Sequence, residues 1–176
     1  MIARYNELMK KIYLAGGCFW GVEHYLSFIP GIIDTTVGYA NSDILSPSYE
    51  DLKQQRSSAS ETVETVYDET KISLREILDL FFEIIDPTLT DRQGHDIGHQ
   101  YRTGIYYVDE EDLDTIQKAL TALSENCDSA IVTECLPLEN FTEAEEYHQD
   151  YLIKNPTGYC HVDLKMFERA RNYKKQ

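Results

Sequence analysis

Cys18 follows Gly16-Gly17 and opens a segment in which Phe19, Val22 and Leu26 recur at helical spacing until Pro30-Gly31. A cysteine at a helix N-terminus lies beside backbone N–H groups that lack an intrahelical partner, and beside the positive end of the helix dipole. Both favour the thiolate, the form that attacks electrophiles, and lower the thiol pKa from its free value of about 8.5. The two glycines permit close backbone approach, which sets Cys18 apart from an ordinary cysteine filling core space. Phe19 and Trp20 come next. Neighbours on a helix face different ways, so one of the two rings faces the site, as an apolar wall suited to a methyl or thioether group. Ordinary packing of both rings is the alternative.

The other cysteines, Cys127, Cys135 and Cys160, form no CxxC pair, and four in all are too sparse and irregular for a secreted disulfide scaffold. They raise reactive-thiol chemistry rather than zinc. His95 and His99 have the H-x-x-x-H spacing of a zinc hydrolase helix, but Asp96 stands where the glutamate base belongs. Gly94 and Gly98 oppose a helix and no third ligand is marked, so no metal is expected. His148, in EEYHQDYL, reads as a structural hydrogen-bonding group on a late helix. Cys18 with one of the five histidines would also suit a cysteine hydrolase, which predicts ester or amide cleavage and no role for Cys160.

The elements that must position these groups alternate strand and helix. Residues 11–15 read as a buried strand leading through the glycines into the Cys18 helix, and 32–39 and 61–67, rich in Val, Ile, Thr and Tyr, read as strands. Between them Tyr49 and Leu52 suggest a short helix. Residues 74–85 make an apolar stripe of Leu74, Ile77, Leu78, Phe81, Phe82 and Ile85, with Ser73 and Glu76 as a capping box and Asp86-Pro87 as the stop. The stretch 86–102 has no period and reads as a loop of about 16 residues, long enough to carry function. A strand at 103–108, a helix near 110–125 with Leu113, Ile116, Leu120 and Leu123 inward, and a strand at 130–135 follow. A last helix is expected from Thr142, capped by Glu145, to before Asn155-Pro156. The pattern predicts an α/β or α+β layer fold, a mixed sheet packed against helices.

The chain has 176 residues and no internal repeat or Gly/Ser/Pro-rich linker, which predicts one domain over 1–176. A net charge of −15 repels phosphate backbones and anionic lipid, so neither nucleic acid nor membrane is an expected partner. Residues 165–176 hold five basic residues against Glu168 and read as a solvated basic tail. MIARYNELMKK contains no apolar h-region, and no run approaches the ~18 apolar residues of a membrane span, so a cytoplasmic protein is expected.

The run GGCFWGVE (16–23) resembles the active-site signature of the A-type peptide-methionine sulfoxide reductases, enzymes that reduce the S epimer of methionine sulfoxide. PGIIDTTVGYA (30–40), SPSYEDL (46–52), IDPT (85–88), RQGHDIGHQYRTGIYY (92–107), AEEYHQDYL (144–152) and NPTGYC (155–160) match in family order, so the likeness covers about 11–164. The ending GYCHVDL most resembles the A halves of fused reductases. The resemblance implies a two-layer α+β plait of the ferredoxin-like kind. It implies that Cys18 attacks the sulfoxide sulfur and becomes a sulfenic acid while Glu61 protonates the departing oxygen, which needs a carboxyl pKa raised by burial. It gives Tyr49 and Tyr101 as hydroxyl donors to that oxygen, Asp96 as an acid holding the site together, and Phe19 and Trp20 as the cage of the sulfur-bound methyl group. Cys160, 142 residues after Cys18 in a stretch with Asn, Pro and Gly, matches the resolving cysteine; the disulfide would be reduced by thioredoxin or a dithiol. No bound cofactor is implied. The substrate is free methionine sulfoxide or an oxidised protein, and a monomer is expected. Cys127 and Cys135 fall on no family motif and read as structural thiols.

Two segments depart from the family. SSASE (57–61) stands where a TGHAE-like run is common, which bears on how the loop before Glu61 is ordered. His95 and His99 replace a commoner Asn and a small polar residue. The missing TGH motivates a further alternative, a non-catalytic reader of oxidised methionine.

Overall fold

The computed structural model describes residues 8–174. The amino-terminal stretch read for a leader falls largely outside them, as does Lys175 of the basic segment. In chain order the elements are β1 (Met9–Gly16), α1 (Phe19–Ser27), β2 (Ile32–Ala40), α2 (Tyr49–Lys53), β3 (Ser60–Asp68) and α3 (Leu74–Phe82). Two short strands follow, β4 (Arg92–Gln93) and β5 (Asp96–Ile97), then a 3-10 turn at His99–Tyr101, β6 (Thr103–Tyr107) and α4 (Asp112–Ser124). The chain continues through β7 (Glu134–Pro137), β8 (Phe141–Glu143), a second 3-10 turn at Glu146–His148, α5 (Tyr151–Lys154) and α6 (Leu164–Arg171).

Six strands form one mixed sheet in the order β7-β6-β1-β3-β2-β8, antiparallel except for the β6–β7 pair. Alternation along β1 divides its side chains between two faces: Ile12 and Leu14 enter the main core, while Tyr13 and Ala15 join Ala40 and Tyr106 in a smaller cluster. The main core also takes Phe19, Val22, Tyr25 and Leu26 of α1 and Ile77, Leu78 and Phe81 of α3, so these helices cover the first face. Each such side chain, fully buried, contributes about 1.5–3 kcal/mol. The expected capping box starts α3: Ser73 Oγ accepts from the Glu76 N–H (3.3 Å) and Glu76 Oε2 accepts from the Ser73 N–H (2.9 Å). The sequence reading of a mixed sheet packed against helices holds.

Three local expectations do not. Thr142 starts no helix; it lies in β8 opposite Tyr39, and the chain to 154 breaks into a 3-10 turn and a four-residue helix. The edge of the sheet captures this segment. The Ala144 N–H bonds the Val37 carbonyl (2.9 Å), and the Gln149 amide both accepts from the Val37 N–H (3.0 Å) and donates to its carbonyl (2.9 Å). Sheet pairing thereby outweighs a local capping pattern. The strand expected at 130–135 lies instead at Glu134–Pro137, parallel to β6. The basic segment is no free tail: α6 buries Phe167 and Ala170, pairs Arg169 with Glu83, and lays the Arg171 guanidinium 3.8 Å over the Phe28 ring. Among the described residues no helix is long and apolar enough to cross a membrane.

Candidate active site

The turn between β1 and α1 presents Cys18. Gly17 has φ +83°, a conformation L side chains rarely adopt, and a Cβ there would stand 2.5 Å from Gln93 Cβ. Gln93 is buried and fixed in turn. Its amide accepts from the Asp86 N–H (2.8 Å) and donates to the Asp86 carbonyl (2.7 Å), which pins the β4–β5 hairpin beside the cysteine turn. The glycine ahead of Cys18 is thus required by both backbone and space. Cys18 occupies the N-cap position of α1 and is 6 % exposed.

Glu61 reaches the same helix start from β3. Side chains two apart share a strand face, so Glu61 points with Val63 into the helix-covered side, while Ser60 bonds Tyr106 on the other (3.0 Å). The Phe19 N–H, one of the unpaired donors of the helix start, donates to Glu61 Oε2 at 3.1 Å. Burial nevertheless pushes the Glu61 pKa up to about 8; the Phe19 hydrogen bond opposes the rise and the Asp96 charge adds to it.

Cys18 behaves differently from the helix-terminus expectation. Burial, followed by the Glu61 carboxylate, pushes its thiol well above the ordinary range, and Asp96 and Cys160 act in the same direction. The Trp20 N–H favours the thiolate but is outweighed. The helix start does solvate the sulfur, as the glycine turn implied; the sign reverses because desolvation and two carboxylates oppose one backbone donor. At rest the pair is a thiol beside a protonated carboxyl.

Aromatic rings wall this pair. Phe19 is fully buried, 5.9 Å from the Tyr39 ring and 5.2 Å from His148. Trp20 is partly exposed and stacked on Tyr151 with ring centroids 3.7 Å apart, and its indole N–H donates to His148 Nδ1 at 3.1 Å. Burial lowers the His148 pKa, so the ring is neutral with its proton on Nε2. His148 has the structural hydrogen-bonding role read from the sequence, on a 3-10 turn rather than a helix. Its ring also lies 4.6 Å from Tyr49. Tyr49 is positioned by Glu145, which accepts from the Tyr49 N–H (2.9 Å) and from the Tyr39 hydroxyl (2.6 Å) in place of the helix cap expected of it.

Tyr49, Tyr101 and Asp96 converge on the same point. Burial, then the Glu61 charge, raises the Tyr49 pKa to about 12 and that of Tyr101 further, with Cys18 and Asp96 contributing to both. Both therefore stay protonated donors, and neither hydroxyl is bound to another protein group among the described residues. Asp96, on β5, accepts from the Tyr159 hydroxyl at 2.9 Å and so ties the hairpin to the Cys160 segment.

Cys160 is half-buried with a free thiol, and burial raises its pKa. Its Sγ accepts from the Val162 N–H (3.4 Å) and would lie 2.9 Å from a Cβ on Gly21. The second glycine of GCFWG is therefore the space that Cys160 occupies against α1. Cys160 also lines an open cleft of about 510 Å3 with Phe28, Pro156, Leu164 and Phe167, which does not include Cys18.

All eight residues singled out from the sequence meet here. The sequence reading did not select Glu145, Tyr151, Tyr159, Gln93, Gly21 or His161 for the site, although all but His161 lie inside matched runs and His161 directly follows one. Cys127 lies beyond α4, and Cys135 packs on the core from β7 with a thiol raised by burial; neither acts on Cys18. The SSASE departure is ordered by its serines: Ser57 bonds Ser42 (2.9 Å), and Ser58 and Asp43 exchange two hydrogen bonds (2.7 and 3.0 Å). His99 pairs with Asp91 (3.0 Å), and Gly94 and Gly98, both at positive φ, keep residues 95–99 out of a helix.

A family model described as peptide methionine sulfoxide reductase matches residues 10–176. The peptide methionine sulfoxide reductase MsrA of Alkaliphilus metalliredigens is 55% identical over 158 residues, 90% of this chain and 100% of its own length. The crystal structure of Mxr1 from Saccharomyces cerevisiae in reduced form superposes with a TM-score of 0.83 at 39% identity, covering 90% of this chain and 93% of that one. Mxr1 in complex with Trx2 superposes at 0.59 and 33% identity, over 82% of this chain and 86% of that one. A thiol paired with a buried acid under an aromatic wall, carried on a chain matched almost end to end, belongs to the peptide methionine sulfoxide reductase family, and methionine sulfoxide is what it reduces.

Proposed function

We propose that Cys18 attacks the sulfur of the S epimer of methionine sulfoxide while Glu61 protonates the departing oxygen. The oxygen passes to the Cys18 sulfur as its bond to the methionine sulfur breaks, so methionine leaves and Cys18 becomes a sulfenic acid. The observation that carries this reading is the Glu61 carboxyl, buried to 2 % exposure, held at the start of α1 beside Cys18 and protonated near neutral pH by a pKa of about 8. Tyr49 and Tyr101 donate hydroxyls to the same oxygen as its negative charge develops, and Asp96 braces the hairpin and the Tyr159 segment around it. Phe19 and Trp20 receive the sulfur-bound methyl group, with His148 and Tyr151 fixing the indole. Cys160 then resolves the sulfenic acid as a disulfide.

Thioredoxin is the reductant we assign, or a small dithiol in its place, with no bound cofactor. The solved complex of Mxr1 with Trx2 supports this, as does the open cleft from which a protein thiol can reach Cys160. Substrates are free methionine sulfoxide and exposed oxidised methionine in proteins. We read residues 1–176 as a single reductase domain acting as a monomer. The free thiols suit the reducing cytoplasm. The β-α-β-β-α-β order of β1, α1, β2, β3, α3 and β6 supports a ferredoxin-like plait as the core of the sheet.

The test is reduction of each sulfur epimer of a blocked methionine sulfoxide, with dithiothreitol, by wild type and Cys18→Ser. Turnover of the S epimer alone, lost in the variant, is expected. Turnover of neither epimer by folded wild type would overturn the catalytic reading in favour of a binding module.

A further inference from the structure

His161 follows the resolving cysteine directly, yet its ring is turned inward. Both ring nitrogens are shut off from solvent and neither has a hydrogen-bond partner of good geometry. Leaving such groups unpaired forfeits the hydrogen bonds they would make to water, so a structure that keeps them calls for an explanation. The ring lies across the glycine turn that presents Cys18. Nδ1 is 3.3 Å from the place a Gly21 Cβ would take, where the Cys160 sulfur also packs at 2.9 Å. Nε2 is 3.5 Å from the corresponding place on Gly17, the neighbour of Cys18. On its third side the β-carbon of His161 lies 3.5 Å from the place a Cβ on Gly94 of the hairpin would take. Nδ1 thus shares the space beside Gly21 with the Cys160 sulfur, while Nε2 faces the glycine turn that leads into Cys18.

We propose that His161 is the proton relay of disulfide formation, taking the Cys160 thiol proton on one ring nitrogen and giving the other nitrogen's proton to the hydroxyl that leaves Cys18. The proposal rests on the assignment of Cys18 as the sulfenic acid and Cys160 as its resolver. As the S–S bond forms, the S–H bond of Cys160 and the S–O bond of Cys18 break, and the oxygen departs as water. The thiol is oxidised and the sulfenic sulfur reduced to the disulfide level, with no other redox partner. The imidazole ends neutral in its other tautomer.

The step needs a ring with one bare nitrogen and one N–H, which is the neutral form. Burial lowers the His161 pKa and favours that form, against the opposing pull of Asp96 and the Gly16 carbonyl. The titratable groups around the ring are Asp96 from the hairpin and Cys160 on its own segment, whose sulfur packs against the same Gly21 position as Nδ1. The Cys160 thiol is raised by burial and supplies little thiolate unaided, so a base beside it accelerates the attack, by about 10²–10⁴-fold where such assistance is complete.

The experiment separates two steps in a single turnover of full-length protein with blocked methionine S-sulfoxide and no external thiol. Methionine release reads sulfenic acid formation; loss of the second free thiol, titrated after denaturing quench, reads the disulfide. In His161→Gln and His161→Ala, methionine should appear at the wild-type rate. Disulfide formation should slow at least tenfold, with a sulfenic acid that dimedone traps. Added imidazole should restore the rate in His161→Ala, and both variants should lose the acidic limb of the wild-type pH profile. A disulfide rate and profile like wild type in both variants would overturn the relay. So would equal slowing of both steps without imidazole rescue, which marks His161 as structural. If wild type itself releases methionine and forms no Cys18–Cys160 disulfide, the underlying assignment of Cys160 has failed instead.

Discussion

Glu61→Gln keeps the side-chain shape and an oxygen acceptor for the Phe19 N–H, and removes only the transferable proton. With a pKa of about 8, roughly nine in ten Glu61 carboxyls are protonated at pH 7, whereas at the ordinary 4.5 about three in a thousand would be. Burial therefore raises the population of the acid about 300-fold, and transfer from a positioned acid accelerates a step by about 10²–10⁴. Methionine release in the variant should slow by that factor, a barrier increase of about 3–5 kcal/mol. The pH profile carries the sharper signature. In the proposed step the reactive pair is Cys18 thiolate with Glu61 carboxyl, and the thiol pKa lies above that of the carboxyl. The wild-type rate should then rise about tenfold per pH unit below about 8, as thiolate accumulates, and level off above it as the acid is lost. Glu61→Gln should show no bend near 8, and its Cys18 should alkylate at lower pH because the opposing carboxylate is gone. The assay is rapid-quench measurement of methionine from a single turnover between pH 6 and 10. A variant that releases methionine within tenfold of wild type, or keeps the bend, would refute Glu61 as the acid.

Cys160→Ser should release one equivalent of methionine per enzyme and then stall with thioredoxin; undiminished turnover would remove Cys160 from the cycle. Gly21→Ala puts a Cβ 2.9 Å from the Cys160 sulfur, so it should displace the Cys160 segment, slow disulfide formation and leave the methionine burst near wild type, at a stability cost of about 1–3 kcal/mol; single-turnover thiol titration and thermal melts check both. Glu23 is a second buried carboxyl, accepting from the Asp150 N–H (3.0 Å), with a pKa pushed to about 8 by burial and then by Asp150. Its folded pKa lies above the unfolded value, so the native state loses stability as pH rises from about 4.5 to 8, by up to about 1.4 kcal/mol per pH unit. Glu23→Gln should therefore gain melting temperature over wild type progressively across that window and no further above it; a pH-independent difference would show that the carboxyl is not ionising inside the fold.

Much of this molecule was legible along the chain because the causes are local. The glycines before Cys18, the Ser73–Glu76 box, the apolar run at 11–15 and the β-branched and aromatic content of 61–67 each act within a few residues, and the elements they predict are present. The motif runs named seven of the eight residues proposed for the site, and the eighth, Glu61, came from the end of the divergent SSASE segment. Where the reading failed, a distant segment had intervened. Thr142 and Glu145 carry a capping pattern that the free edge of β2 overrode, and Glu145 went to Tyr39 and Tyr49 instead. The basic end gained a helix because Phe28 and Glu83 were waiting for Arg171 and Arg169.

The sequence by itself determined where the chemistry would be: a glycine-presented thiol at a helix start, aromatic neighbours and a second thiol far along the chain. Only the tertiary structure decided the state of that chemistry. A helix start is a local donor and can be read from spacing, but a pKa sums desolvation and charge from every element packed around a group. Closing β3, the hairpin and the Cys160 segment over α1 reversed the expected sign at Cys18, raised the Glu61 carboxyl to a pKa of about 8, and turned His161 inward against the glycine turn.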